Sequence, residues 1–276
     1  MRIDLEPTGE RVIEDVYMHS IGAYTIYAMH AASYGFVEKL CSEKKVLDLG
    51  CGSGYGAMRL SKTANEVHGV DVAEDAISYA KERFKNANLH FRKIDPSKQL
   101  PFATASFDVV LSFQVIEHVS DEDGYLREAR RLLKPGGTLV VITPDRKNRL
   151  LPGQKPWNRW HLREYDMSTL VKLINRHLTV TQALQMGARR EIASIEIKRY
   201  SRTKWLCLPA TLPGMPDFIR IGALNLVHRV IGKFKPAHSV AIQKFEFDEH
   251  DFIIGENQEN SLNLVVTAQL AKNARD

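Results

Sequence analysis

Between residues 45 and 145 the chain alternates short aliphatic runs with stretches whose apolar residues recur at helical spacing. Val46, Leu47 and Leu49 read as a buried strand, and "YGAMRLSK" behind them has helical character through Met58 and Leu60. Val67 to Val70 forms a second strand, followed by a helix whose apolar positions include Ala73, Ile77, Ala80 and Phe84. Further strands fall at Leu89 to Lys93 and Phe107 to Ser112; the helix "DGYLREARRLL", a "KPGG" turn over Lys134 to Gly137 and a strand over Thr138 to Thr143 complete the series. Such alternation predicts an α/β fold, a parallel sheet with helices on both faces, and a ligand beyond the carboxyl ends of the strands.

Past Thr143 the pattern loosens. A Pro- and Trp-rich loop over residues 150–165 precedes an amphipathic helix from about Asp166 to His177. Residues 178–200 are expected to give the next strand or two, and Ser261 to Leu270 the last, antiparallel strand. Between them, residues 204–236 read as an inserted cap. It includes a helix with Phe218, Ile221, Leu224, Val227, Ile231 and Phe234 on one face and Arg220, Arg229 and Lys233 elsewhere. That apolar face either packs on the domain or meets a lipid-linked acceptor, a membrane surface or a partner, the basic residues suiting a headgroup layer. The expected organisation is a single domain, 1–276, with N-terminal helices in 1–44, a core in 45–200, the cap in 201–245 and a C-terminal strand region in 246–276.

The chemistry concentrates at the ends of the predicted strands. "VLDLGCGSGYG" places Gly50, Gly52, Gly54 and Gly56 around Cys51 in a turn between strand and helix, where backbone N–H groups can meet a nucleotide-like ligand. A dinucleotide fingerprint runs G-x-G-x-x-G, whereas here glycines fall at every second position and Asp48 precedes them. A carboxylate would repel a pyrophosphate there, and it suits a cofactor that presents positive charge, such as the ammonium or sulfonium of S-adenosylmethionine. Asp71, about twenty residues beyond the glycines, is placed to accept ribose hydroxyls or to cap the following helix. Asp95 and Gln114 close two further strands at the same edge.

With 276 residues, of which 44% are hydrophobic, the chain can bury one good core. Its first twenty residues lack an apolar leader pattern, and no apolar run nears the roughly 20 residues needed to span a bilayer, so a cytoplasmic chain is expected. Three widely spaced cysteines offer neither a disulfide framework nor zinc-type pairs. A net charge of +5 permits an anionic partner without demanding one.

Residues 45–145 resemble a class I S-adenosylmethionine-dependent methyltransferase of the broad small-molecule group often called type 11. The motifs "VLDLGCGSGYG", "GVDVAEDAISYAKER", "LPFATASFDVVLSFQVIEHV" and "LLKPGGTLVVITPD" follow in that family's order. The resemblance implies a Rossmann-like seven-stranded sheet, mostly parallel with an antiparallel final strand. It puts Asp48, Gly50, Cys51, Gly52 and Gly54 around the methionine moiety, Asp71 on the ribose and Asp95 at the adenine amino group. Gln114 falls beside the methionine end, and the Val72 and Pro96 backbones beside the adenosine. The N-terminal "PTGERVIEDVY" and "MHAASYGFVEKL" are similar to a branch associated with sugar assembly, in which His30 and Tyr34 either line the pocket or pack the leading helix.

An alcohol acceptor needs its proton removed in or near the transition state, and histidine is the first side chain to consider. His118, with Glu117 beside it, and His161, in a His-Leu-Arg-Glu segment that the family shares, are the candidates. No metal is expected, since Glu117 and His118 alone lack further ligand spacing. The expected reaction is O-methylation of a sugar, a glycan precursor or another small or lipid-linked acceptor, with peripheral membrane contact through 204–236 as one option. An RNA methyltransferase and a catalytically silent cofactor-binding adaptor are the alternatives; the "SFQV" after the fourth strand lacks the N/D-P-P-Y/F signature of nucleic-acid enzymes.

Overall fold

The computed structural model describes residues 20–232 and 245–272. In chain order the elements are α1 (Ile21–Cys41), β1 (Lys45–Leu49), α2 (Tyr55–Leu60), β2 (Glu66–Asp71), α3 (Glu74–Arg83), β3 (Leu89–Lys93) and β4 (Phe107–Phe113). Then come α4 (Glu122–Leu132), β5 (Leu133–Pro144), the single turn α5 (Arg146–Arg149), α6 (Met167–Ile174), β6 (Thr179–Ala188), α7 (Arg190–Leu206), α8 (Asp217–Gly232), β7 (Phe252–Gly255) and β8 (Asn263–Gln269).

The strands form one sheet in the order β3-β2-β1-β4-β5-β8-β6-β7. The first five are parallel, while β8 runs antiparallel to both β5 and β6. Alternation along the strands builds two cores, because successive side chains leave opposite faces. Val46, Val67, Leu111, Val140 and Val265 face one with α1, α2 and α3; Leu47, Val70, Val110, Val141 and Val266 face the other with α4 and α6.

Three features depart from the sequence expectation. The sheet has eight strands instead of seven, because Phe252–Gly255 adds an antiparallel edge to β6 through Gln185–Ala188. The residues after β6 form a helix where a second strand was an option: Ile192, Ala193, Glu196 and Tyr200 of α7 are buried at helical spacing. The "KPGG" stretch lies inside β5, where the register against β4 shifts between Phe107 and Val109.

The cap turns part of its expected apolar face inward, Leu224 and Val227 packing on the core, but not all of it. Leu224 and Arg220 of α8 are both fully buried, whereas Phe218 is 77% exposed. The Arg220 guanidinium can be buried because partners surround it: Nε donates to Asp217 Oδ1 (3.1 Å), Nη1 to the Pro156 carbonyl (2.9 Å) and Nη2 to the His161 carbonyl (3.2 Å). Helix α8 is thereby fastened to the loop before α6. Residues 1–19, with the "PTGERVIEDVY" motif, and the side chains of Arg229, Ile231, Lys233 and Phe234 lie outside the described residues.

Candidate active site

The turn after β1 is tied to the neighbouring strand, Gly50 N–H and Cys51 N–H both donating to the Val70 carbonyl (2.8 and 3.0 Å). Two of its glycines show different needs. Gly52 has a left-handed φ of 53° and open space where a Cβ would stand, as close approach of a ligand requires. At Gly56 a Cβ would overlap the Tyr34 ring, so this glycine serves the seating of α1 on α2.

That seating brings Tyr34 O–H to donate to Asp48 Oδ2 at 3.0 Å. Asp48 is buried, and its Oδ1 has no hydrogen-bond partner among the described residues. Burial pushes its carboxyl up to about 7. One strand over, Gly52 N–H donates to Asp71 Oδ2 (3.0 Å) and Ala73 N–H to Oδ1 (2.9 Å), so Asp71 braces the glycine turn and the start of α3 together. Val72, Asp95 and Pro96 are exposed along the same edge. The Asp95 carboxylate is occupied by Ser97 N–H and O–H (3.0 and 2.7 Å) and by Lys98 (3.1 Å), which hold its pKa down at about 2.

A pocket opens beside these groups, lined by His30, Gln114, Glu117, His118 and His161. Gln114 reaches it from a left-handed backbone (φ 56°), a conformation that costs on the order of 1 kcal/mol or more for a non-glycine residue. Glu117 is fully buried; Thr143 O–H donates to its Oε2 (2.9 Å), and Oε1 has no partner among the described residues. Desolvation lifts this carboxyl to about 7. His118 contacts the Trp160 carbonyl through Nδ1 (3.0 Å), and its ring stands edge-on to His161 at 4.9 Å between centroids.

His161 sits at the end of a buried chain that the sequence reading did not assemble. Arg149 grips Glu164 with two bonds of 2.9 Å, and Glu164 Oε1 lies 2.9 Å from His161 Nδ1. The ionised Glu164, held at about 2 despite burial, accepts from Nδ1–H and so leaves the lone pair on Nε2; burial in turn keeps the ring neutral, its pKa lowered to about 4. Arg149 stacks against Trp157 (4.5 Å) and Tyr200 (4.6 Å). These three residues, with Asn158, Arg199 and Asn263, line the pocket and were absent from the predicted site. One ligand atom from each of Glu117, His118 and His161 lies within 4.8 Å of the other two, a spacing that suits a proton path and would also suit a divalent cation.

Residues 40–191 match the methyltransferase domain family, and the chain belongs to it. A relative named a probable S-adenosylmethionine-dependent methyltransferase, from Mycobacterium tuberculosis, is 34% identical over 168 residues, which make up 60% of this chain and 58% of that protein. The demethylmenaquinone methyltransferase of Tropheryma whipplei is 35% identical over 48% of this chain and 53% of its own length. The ubiquinone biosynthesis O-methyltransferase of Methylococcus capsulatus is 30% identical over 44% and 53%. The chain thus spans under three fifths of these curated relatives. Among solved structures, an S-adenosylmethionine-dependent methyltransferase from Mesorhizobium loti superposes with a TM-score of 0.54 at 14% identity, covering 86% of this chain and 97% of that one. A [4+2]-cyclase, SpnF, matches with the same TM-score at 18% identity, over 87% of this chain and 80% of its own, so the likeness speaks for the fold alone.

S-Adenosylmethionine is the cofactor that family membership assigns, and the cradle fits it. The unpartnered Asp48 oxygen offers a negative charge, and the open backbone at Gly52 offers room.

Proposed function

We propose that this chain is an S-adenosylmethionine-dependent O-methyltransferase whose acceptor is a small, neutral, hydroxyl-bearing molecule. The observation that carries the reading is Glu117: a buried carboxylate that lines the pocket, with one oxygen awaiting a donor and a pKa near the working pH. In this reading Asp48, Gly52 and Asp71 hold the cofactor, with Gln114, His30 and Tyr34 closing its methionine end. The loop over residues 150–165 and helices α7 and α8 select the acceptor.

When bound, the cofactor supplies the methyl group as an electrophile on a cationic sulfur. Glu117 would accept the proton that the acceptor hydroxyl gives up, and His118 and the neutral His161 stand near enough to pass it on. The Arg149–Glu164 pair fixes His161, while Trp157 and Tyr200 exclude water.

The charge balance bears on the acceptor. Arg149 is matched by Glu164 and Arg199 by Glu196 with bonds of 3.0 and 3.1 Å, so neither guanidinium on the pocket wall is left over for a phosphate. That weighs against a nucleic-acid backbone as acceptor. Quinone-related ring hydroxyls, suggested by the name of one relative, the ubiquinone biosynthesis O-methyltransferase, and sugar hydroxyls share the required chemistry.

The test is transfer of labelled methyl from S-adenosylmethionine to a phenolic acceptor set and a glycoside set. Glu117→Gln should lower turnover by about 10²–10⁴ while cofactor affinity stays within about threefold. Label entering RNA, or no transfer to either set, overturns the reading. A large loss in His161→Ala with little in Glu117→Gln moves the base to the histidine.

A further inference from the structure

Six of the eleven large hydrophobic residues that stand exposed on the described fold fall within residues 205–226 of the cap: Trp205, Leu206, Leu212, Phe218, Ile219 and Leu226. On α8 the last three span an arc of about 100°, at 3.6 residues per turn. Arg220, Leu224 and Val227 occupy the opposite arc and pack inward. Over residues 218–226 the helix is therefore apolar on the side where a surface helix is normally polar.

We propose that this outer face of the α7–α8 cap docks on an anionic lipid bilayer. The surrounding charge favours that occupant. With Arg199 matched by Glu196 and Arg220 buried, Lys198, Arg202 and Lys204 remain on this stretch, and the one acid of residues 197–227, Asp217, is already held by Lys155 (3.1 Å) and Arg220. Lys198 and Arg202 are exposed one helical turn apart on α7. Exposed Trp and Phe together with aliphatic side chains and lysines or arginines are what a headgroup layer accepts. A second copy of the chain meeting this face across a two-fold axis would bring the same cations against one another.

The geometry also links the face to the pocket. Arg199 and Tyr200 of α7 line the pocket, and Trp205 follows Tyr200 by about 8 Å along the same helix. Arg220 and Gln154, which donates to the Lys204 carbonyl (2.9 Å) and Thr211 Oγ1 (2.8 Å), bind the cap to the pocket-lining loop. Entry of an apolar acceptor from the bilayer rests on the methylation reading; the docking does not.

The experiment is vesicle flotation of the full chain with phosphatidylcholine alone or mixed with phosphatidylglycerol. Intrinsic tryptophan fluorescence is read against brominated lipids. The wild type should float with the anionic vesicles, show quenched emission and release as salt rises. Trp205→Ser with Phe218→Ser should lower partitioning by at least about tenfold. Lys198→Glu should lower it by roughly fivefold. Cofactor affinity, measured on the same samples, reports that each variant is folded. Absence of flotation and quenching in the wild type overturns the proposal. So does a dimer, seen by light scattering, that the double variant converts to monomer.

Discussion

Asp48 makes cofactor binding dependent on pH. Its carboxyl is held near 7 by burial, although the Tyr34 hydroxyl bond favours ionisation, so close to half of the unliganded protein carries a proton there at neutral pH. A cationic ligand selects the ionised form, and affinity should rise as pH rises. One unit below a pKa of 7 about a tenth of the sites are ionised, and one unit above about nine tenths are, so the dissociation constant should fall roughly tenfold between pH 6 and pH 8. Calorimetry across that range, repeated in buffers of different ionisation enthalpy, measures both the slope and the proton released on binding. Tyr34→Phe removes the hydrogen bond that opposes the shift and should move the transition to higher pH. Asp48→Asn should bind more weakly with no slope. A wild-type affinity that is flat from pH 6 to 8 refutes the reasoning. A rise that persists in Asp48→Asn assigns the titration to Glu117, whose carboxyl burial lifts to about 7 as well.

The unliganded protein should melt at lower temperature as pH rises through about 7. Asp48 and Glu117 have folded pKa values raised from 3.8 and 4.5, so the stability they contribute is complete below those values and lost as the buried groups ionise. The expected fall is on the order of 10 °C between pH 5 and pH 8, read by calorimetry or dye binding, and saturating cofactor should reduce it. Arg220→Ala should release the Pro156–His161 loop, costing on the order of 3 kcal/mol of stability in denaturant titration and much of kcat/KM while cofactor affinity holds. Gly56→Ala should displace the Tyr34 ring, lowering stability by about 1–3 kcal/mol and weakening the cofactor in calorimetry.

The parallel half of the fold was legible because its signals are local. Strands β1, β2 and β4 carry aliphatic runs with Asp48, Asp71 and Gln114 at or next to their ends, and the loop between β1 and α2 announces itself in glycines. The edge strand Phe252–Gly255 was not, since four residues give no alternation to read. Helix α7 mixes buried Glu196 with exposed Trp205, which blurs its period. On α8 the expected inward placing holds for Leu224 and Val227 and misses Arg220 for a related reason: arginine is read as outward-facing, and Asp217 with the carbonyls of a loop sixty residues earlier makes this one inward. The chain Arg149–Glu164–His161 was half visible. His161 and Glu164 lie three residues apart and were noted together, but Arg149 joins them through the folding of the loop between, which no spacing rule encodes.

The carboxylate of Asp71 has about four lone-pair directions, and backbone amides at Gly52 and Ala73 take one on each oxygen. With both oxygens tethered, the group cannot swivel, and the two directions that remain match in number the paired hydroxyls of a ribose. A freely rotating aspartate would surrender torsional freedom on meeting such a ligand; this one has surrendered it on folding. The recognition geometry is thus fixed in advance, and its rigidity can be lost without touching Asp71, by any change that moves the glycine turn or the start of α3.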